Sequence, residues 1–149
     1  MVWVSRWGAT GTPASVPTRC TSRLEHRLPA RPESIGPLRR ALVAYAQSNG
    51  ASDRACEDVA LAASEALSNV VVHAYVDRDA PGDIRVEAWM QDDALQVAVC
   101  DEGAGVSPRL DSPGLGLGLA IIGRVCEQLY IESGDGAPGA RVLMSFAIG

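Results

Sequence analysis

Two short runs of alternating apolar and polar residues, separated by a pair of aspartates, constrain the fold of this 149-residue chain more than any other feature. The run over 84–91 is apolar at every second position, and the run over 95–100 repeats this pattern after Asp92 and Asp93. Such alternation is typical of strands with one buried face, and a two-residue connection favours an antiparallel hairpin. The buried face of the hairpin then requires a second layer to cover it.

Two helical patterns precede the hairpin and can supply that layer. The first covers 35–48, and the second begins at Asp53 and ends at His73 or Tyr75. Both repeat apolar side chains at three- and four-residue spacing, and Ser52 is the predicted N-cap of the second helix. The predicted buried positions are Ile35, Leu38, Leu42 and Tyr45 in the first helix and Val59, Ala62, Ala66, Val70 and Ala74 in the second.

The remaining patterns complete one predicted domain. The order of helices, strands, a helix and further strands predicts an α+β protein, a two-layer α/β sandwich whose mixed, mainly antiparallel sheet is covered on one face by helices. Residues 1–20 are predicted to form a flexible N-terminal tail, and residues 21–149 a single domain. The further predicted elements are strands over 22–28, 130–133 and 141–148 and a helix over 117–129.

Composition and charge exclude several classes of function. The net charge of −5 argues against a protein that binds nucleic acid through a basic surface, and no apolar run is long enough to span a bilayer. The four cysteines form no C-x-x-C pair, which argues against a zinc site. We therefore expect buried, reduced thiols and a cytoplasmic protein that does not bind a membrane.

Two groups of polar and glycine residues suggest chemistry. Glu65 and Asn69 lie one helical turn apart, so that an amide oxygen suited to Mg²⁺ is next to a carboxylate that can accept a proton. Asp101 follows the hairpin, where it can accept a hydrogen bond from an adenine amino group, and Gly103 and Gly105 permit close approach of a flat base. An exposed polar helix face and an ordinary turn remain the alternatives for the two groups.

Three glycines, Gly114, Gly116 and Gly118, alternate with leucines where the third helix is predicted to begin. Glycine weakens a helix, whereas free N–H groups at a helix N-terminus bind phosphate. The spacing matches neither the Walker nor the Rossmann pattern, and a hinge loop is the alternative interpretation.

In this order and spacing, the motifs resemble those of the GHKL ATPase superfamily, and most closely those of the bacterial anti-sigma-factor serine/threonine kinases. The resemblance extends over about 24–146 and implies a Bergerat-type fold. The segments that carry it are Glu65–Asn69 with His73–Tyr75, Asp101–Gly105 and Gly114–Ile121. We expect His73 and Tyr75 to be structural, packing or capping near the end of the helix.

The resemblance implies an ATP or ADP site with Mg²⁺. By this resemblance Asn69 binds the metal and the phosphates, Glu65 is the general base and Asp101 holds the adenine amino group. Arg109, in a lid over 106–113, is a candidate for stabilising the charge of the transferred phosphoryl group or is a solvated loop arginine. The remaining implied nucleotide contacts are Gly103 and Gly105 beneath the base and Gly114, Gly116, Gly118 and Leu119 around the phosphates.

The function implied by the resemblance is that of an ATP-binding anti-sigma factor. Such a kinase phosphorylates a STAS-type anti-sigma-factor antagonist, binds a sigma factor and forms a homodimer. Two features favour an alternative, a catalytically weak nucleotide-dependent switch without phosphoryl transfer: the lid is short, and Gly139-Ala-Arg141 lacks the threonine usual near the adenine. A histidine-kinase fragment is a third reading, disfavoured because no helix bearing a phosphoacceptor histidine is expected before the domain.

Overall fold

A single antiparallel sheet forms one layer of the computed structural model, which describes residues 2–5, 22–76, 78–103, 115–133 and 138–149. The strand order is β1-β5-β6-β4-β3-β2, and each neighbouring pair is antiparallel. The predicted α+β sandwich is confirmed, and among the described strands the sheet contains no parallel pair. The strands are β1 (Val2–Ser5), β2 (Leu24–Pro29), β3 (Asp83–Gln91), β4 (Ala94–Asp101), β5 (Gln128–Ser133) and β6 (Ala140–Ala147).

The predicted hairpin is formed by β3 and β4. Gln91 pairs with Ala94 across the turn, and both turn residues have left-handed backbones, with φ of 50° at Asp92 and 62° at Asp93. Two positive φ values match the right-handed twist of the strands, and aspartate tolerates this conformation better than most residues. The Asp-Asp pair therefore sets the register of β3 and β4.

Three helices cover one face of the sheet: α1 (Pro32–Ser48), α2 (Asp53–Asn69) and α3 (Leu115–Val125). Pro32 begins α1, Gly50 follows it with φ of 85°, and Ser52 caps α2 by accepting a hydrogen bond from the Ala55 N–H at 3.2 Å. The predicted apolar faces are buried, except that Ile35 is only half-buried. The chain continues from α2 into a π-helical turn, Val70–Ala74.

The predicted C-terminal end of α3 is wrong. The helix ends at Val125, and β5 already begins at Gln128, so that Leu129 belongs to a strand. The Glu127 N–H donates to the Ser145 carbonyl at 2.8 Å and draws the chain onto β6. Apolar residues such as Leu129, whose spacing also fits a helix, are therefore incorporated into the sheet by pairing with β6.

The sheet face opposite the helices is not simply polar. Glu87 and Trp89 alternate with the core residues of β3, yet both are buried, at 6% and 8% exposure. Glu87 forms ion pairs with arginines from three parts of the chain, and two of these arginines lie over the Trp89 ring. The arginines paired with Glu87 are Arg23, Arg85 and Arg141.

The N-terminal segment differs in part from the expected tail. Val2–Ser5 pairs with β5 as the edge strand β1, whereas residues 6–21 lie outside the described residues. The division into a tail and a domain therefore stays a prediction for the rest of that segment. Among the described residues, no helix combines the length and the apolar character needed to cross a membrane.

Candidate functional site

Glu65 and Asn69 lie near the C-terminal end of α2 and face the first turns of α3. A Cβ atom placed on Gly118 would lie 3.1 Å from Oε2 of Glu65 and 3.5 Å from both amide atoms of Asn69. Both side chains are half-buried, so they remain reachable from solvent. The structure thus brings together a carboxylate, an amide and a glycine backbone from two of the predicted motifs.

Asp101 ends the central strand β4 on the helix-covered face, where it pairs with Ile84 on one side and Ala140 on the other. Its side chain is buried, and Oδ1 accepts a hydrogen bond from the Gly103 N–H at 2.9 Å. Burial raises the pKa of this carboxyl, although hydrogen bonds from the N–H groups of Gly103 and Ala140 and the charge of Arg78 partly offset the effect. A buried carboxylate with spare acceptor capacity suits a ligand N–H donor.

Gly103 brings the loop after β4 against the end of the π-helical turn. A Cβ atom at this position would lie 2.0 Å from the carbonyl oxygen of Ala74, so no larger residue fits without a backbone shift. Gly139 allows a similar approach on the other side, since its Cβ atom would lie 2.4 Å from the carbonyl oxygen of Asp101 and its φ is 114°. The segment 101–103, here called the Asp101 loop, therefore packs closely on both sides only because Gly103 and Gly139 lack side chains.

Tyr75 joins the end of the helix to both strands of the hairpin. Its buried hydroxyl donates to the Asp83 carbonyl at 2.8 Å and accepts from the Glu102 N–H at 3.0 Å. Arg78 lies over the Tyr75 ring, 5.3 Å from the centroid, and donates to the Glu102 carbonyl at 3.2 Å. Sequence reasoning expected packing or capping from Tyr75 and assigned nothing to Arg78, because a bridge between distant strands has no local signature.

His73 lines a shallow groove of about 270 Å³ beside the Asp101 loop. Gly103 and Pro138 form part of the same groove, together with Tyr75 and Arg78. The groove therefore connects the end of the π-helical turn with the loop that follows β4. The expectation that His73 serves a structural role is compatible with this position and stays a prediction.

The remaining predicted site residues fall in two groups. Gly116 lies in the first turn of α3, and the half-buried side chain of Leu119 packs against the core. The other predicted contacts and the lid lie outside the described residues; these are Gly105, the lid over 106–113 with Arg109, and Gly114.

Three of the four cysteines have the predicted buried, reduced state. Cys56, Cys100 and Cys126 are free thiols, and Cys20 lies outside the described residues. Burial raises the pKa of each of the three, and that of Cys126 reaches about 12. These thiols are therefore poor nucleophiles and poor metal ligands at neutral pH.

The fold is that of an ATPase domain. The family model of the histidine kinase-like ATPase domain matches residues 28–146, and the chain belongs to this family. This finding accounts for the helix-covered sheet and for the resemblance seen in the sequence.

Several curated proteins that are similar to this chain are serine-protein kinases named RsbW. The chain is 38% identical over 80 residues to the serine-protein kinase RsbW of Bacillus subtilis, an alignment that covers 54% of this chain and 49% of the relative. It is 30% identical over 128 residues to the RsbW protein of Bacillus velezensis, covering 76% and 79%. The chain spans about half the length of several of the curated relatives it matches.

Solved structures share the fold. The RsbU and RsbW domains of Rv1364c from Mycobacterium tuberculosis superpose with a TM-score of 0.68 at 24% identity, covering 86% of this chain and 33% of that one. A blue-light activated histidine kinase domain from Erythrobacter litoralis gives a TM-score of 0.55 at 21% identity, covering 81% and 62%.

Proposed function

We propose that this chain is an ATP-dependent serine/threonine protein kinase that acts on a STAS-type anti-sigma-factor antagonist. The observation that carries the proposal is the convergence of Glu65, Asn69 and Gly118, since a proton acceptor, an oxygen ligand and a glycine backbone then share one site. The family membership and the RsbW relatives support the same activity.

The nucleotide is held from two sides in this proposal. Asp101 accepts the adenine amino group, with Gly103 and Gly105 beneath the base. The backbone of the glycine-rich start of α3 surrounds the phosphates, where N–H groups at a helix N-terminus favour anions. The residues assigned to the phosphates are Gly114, Gly116, Gly118 and Leu119.

The residues fit a magnesium ion that reaches the site with the nucleotide. Among the described residues, no cluster of three His, Cys, Asp or Glu side chains could hold a metal by itself. Asn69 offers an amide oxygen beside Gly118, and Mg²⁺ takes its remaining ligands from phosphate and water. The ion neutralises phosphate charge when bound, and Asn69 is its protein ligand in this proposal.

Glu65 is assigned the role of general base. It accepts the proton of the substrate hydroxyl while the hydroxyl oxygen forms a bond to the γ-phosphorus. The bond between the γ-phosphorus and the bridging oxygen breaks, and ADP leaves with the electron pair. Arg109 is assigned to stabilise the negative charge of the transferred group.

Two measurements test the kinase proposal separately. Calorimetry with Mg-ATP and Mg-ADP tests the nucleotide site, and absence of binding at millimolar nucleotide contradicts it. Mass spectrometry of a STAS partner after incubation with ATP tests transfer. Glu65→Gln should bind ATP and lose transfer, whereas the control Glu57→Gln, an exposed glutamate on the same helix, should retain both.

The partners follow from the resemblance and are part of the proposal. We infer that the chain binds a sigma factor, forms a homodimer and works in the cytoplasm. Co-purification with candidate sigma factors, with and without Mg-ADP, tests the first statement. Analytical ultracentrifugation of the full chain tests the second.

A nucleotide-dependent switch without phosphoryl transfer is the second candidate. It is favoured by Ala140, which occupies the position beside Asp101 on the same face of the sheet, where a threonine hydroxyl would reach the base. In this alternative, the wild-type chain binds nucleotide and partner but transfers no phosphate to any STAS protein.

A further inference from the structure

The register of β3 and β4 ends at the pair Ile84 and Asp101. The next positions along the two strands are Asp83 and Glu102, and here the Tyr75 hydroxyl lies between the strands. It donates to the carbonyl of Asp83 and accepts from the N–H of Glu102. A side chain from the end of the helix thus replaces a backbone pair at the point where β4 becomes a loop.

Both backbone polar groups of Glu102 are held by the same short segment. Tyr75 binds its N–H at 3.0 Å, and Arg78 binds its carbonyl at 3.2 Å while lying over the Tyr75 ring. A residue whose N–H and carbonyl are both held has little freedom to rotate its peptide groups. The fixed peptide groups of Glu102 therefore also fix the backbone orientation of the two flanking residues, Asp101 and Gly103.

Close packing prevents Tyr75 from adopting another position. A Cβ atom on Gly82 would lie 2.3 Å from Cε1 of Tyr75, so the ring lies directly on the backbone of this residue. The Tyr75 side chain is buried, and burial raises the pKa of its hydroxyl, which therefore stays protonated and able to donate. The bridge is consequently a fixed part of the fold.

We propose that Tyr75, supported by Arg78, is the positioning residue that holds the Asp101 loop in the orientation needed to bind a base with an exocyclic amino group. This role rests on the proposed nucleotide site. The Gly103 N–H that binds Asp101 Oδ1 belongs to the peptide whose carbonyl Arg78 holds. Loss of the hydroxyl should let this loop rotate, so that Asp101 selects less strongly for the amino group.

The test compares Tyr75→Phe with a matched control, Tyr45→Phe. Tyr45 is also buried, and its hydroxyl donates to the Ser22 carbonyl at 2.7 Å, away from the Asp101 loop. The affinities for ATP and for purine riboside triphosphate, which lacks the 6-amino group, are measured by calorimetry. Tyr75→Phe should reduce the preference for ATP by about tenfold, the size expected when the hydrogen bond from the 6-amino group to Asp101 is lost, and Tyr45→Phe should leave the preference unchanged.

Hydrogen exchange supplies a readout that does not depend on nucleotide. In the free protein, the Glu102 amide should lose protection in Tyr75→Phe and retain it in Tyr45→Phe. Arg78→Met, at an exposed position, should shift the ATP preference in the same direction by a smaller factor, and it carries the test if Tyr75→Phe does not fold.

The possible outcomes separate this inference from the proposed function. If the wild-type chain fails to bind ATP, the nucleotide site itself is wrong. If the wild type binds ATP while Tyr75→Phe keeps the full preference for ATP, or keeps the Glu102 amide protected, the positioning role is overturned.

Discussion

Gly118 and Glu65 meet across the interface of α2 and α3, where an added side-chain carbon would fit only tightly between them. A Cβ atom on Gly118 would lie 3.1 Å from the Glu65 carboxylate, a contact shorter than most real Cβ contacts. The same atom would lie 3.5 Å from the amide of Asn69. Glycine at this position therefore keeps open the space beside both proposed functional side chains.

We expect Gly118→Ala to weaken Mg-ATP binding by about tenfold or more, because the added methyl group crowds Glu65 and Asn69 and restricts the phosphate space. Gly123→Ala is the matched control, since Gly123 lies in the same helix and a Cβ atom there would contact nothing within 4 Å. It should raise the free energy of unfolding by up to about 1 kcal/mol and leave nucleotide affinity unchanged.

Calorimetry and urea denaturation of the two variants provide the comparison. An equal effect of both substitutions on Mg-ATP affinity would contradict a specific role for Gly118. So would full affinity in Gly118→Ala together with a normal unfolding curve.

Asp101→Asn should have opposite effects on binding and on stability. The asparagine oxygen can still accept from the Gly103 N–H, but it carries no charge for the adenine amino group, so ATP affinity should fall at least tenfold, or about 1.4 kcal/mol. Without nucleotide, the variant should be more stable than the wild type at pH 7, because it avoids burying a carboxylate.

The pH dependence of this stability difference follows from the direction of the pKa shift. Folding raises the pKa of Asp101 above its unfolded value of about 4, so the protonated form is favoured in the folded state. Its stabilising contribution is present below about pH 4 and is lost as the pH rises through the folded pKa. Urea denaturation between pH 4.5 and 7.5 should show wild type losing stability relative to Asp101→Asn, and the reverse trend would refute the assignment.

Ala140→Thr should strengthen nucleotide binding by about threefold to tenfold if the base lies against Asp101. The new hydroxyl stands beside Asp101 on the same face of the sheet and can bind the base directly or through water. Ala140→Val has the same shape without the hydroxyl and should give no gain. Equal affinities for ATP in the two variants would show that no polar contact to the base forms at this position.

The buried thiols should resist alkylation in the folded protein. The pKa of Cys126 is raised by burial to about 12, so only about one thiol in ten thousand is ionised at pH 8. Peptide mass spectrometry after iodoacetamide treatment should find Cys56, Cys100 and Cys126 unmodified in the native state and modified in guanidinium. Rapid native labelling of Cys126 with the fold intact would contradict its burial.

Much of the architecture was predictable because it depends on local periodicity. The two-residue turn at Asp92 and Asp93 follows from the change of pattern alone, as does the N-cap at Ser52. The error at the end of α3 has a tertiary cause, because Leu129 fits a helical period yet is taken into β5 by pairing with β6. Burial of Glu87 was also beyond prediction, since two of its three arginine partners, Arg23 and Arg141, come from distant parts of the chain.

The residue types of the site were predictable from the sequence, but the hydrogen bonds that join its parts were not. The acid and amide of α2, the strand-end Asp101 and the glycines of α3 are all visible as spaced motifs in the sequence. The bridge from Tyr75 to Glu102 joins residues that are 27 positions apart. No spacing rule relates two such positions, because the bridge depends on how the end of the helix meets the sheet.

The sequence by itself determined the elements of this protein and its chemical groups, since turn preference, apolar period and side-chain chemistry are all local properties. Only the tertiary structure decided which groups meet. Packing of α2 on α3 brings Gly118 against Glu65 and Asn69. The end of the π-helical turn packs against Gly103 and so holds the Asp101 loop in place. These contacts form because glycine has no side chain, which lets a neighbouring element approach closely. Which element approaches a given glycine depends on how the helices and the sheet pack, and the local sequence does not specify this.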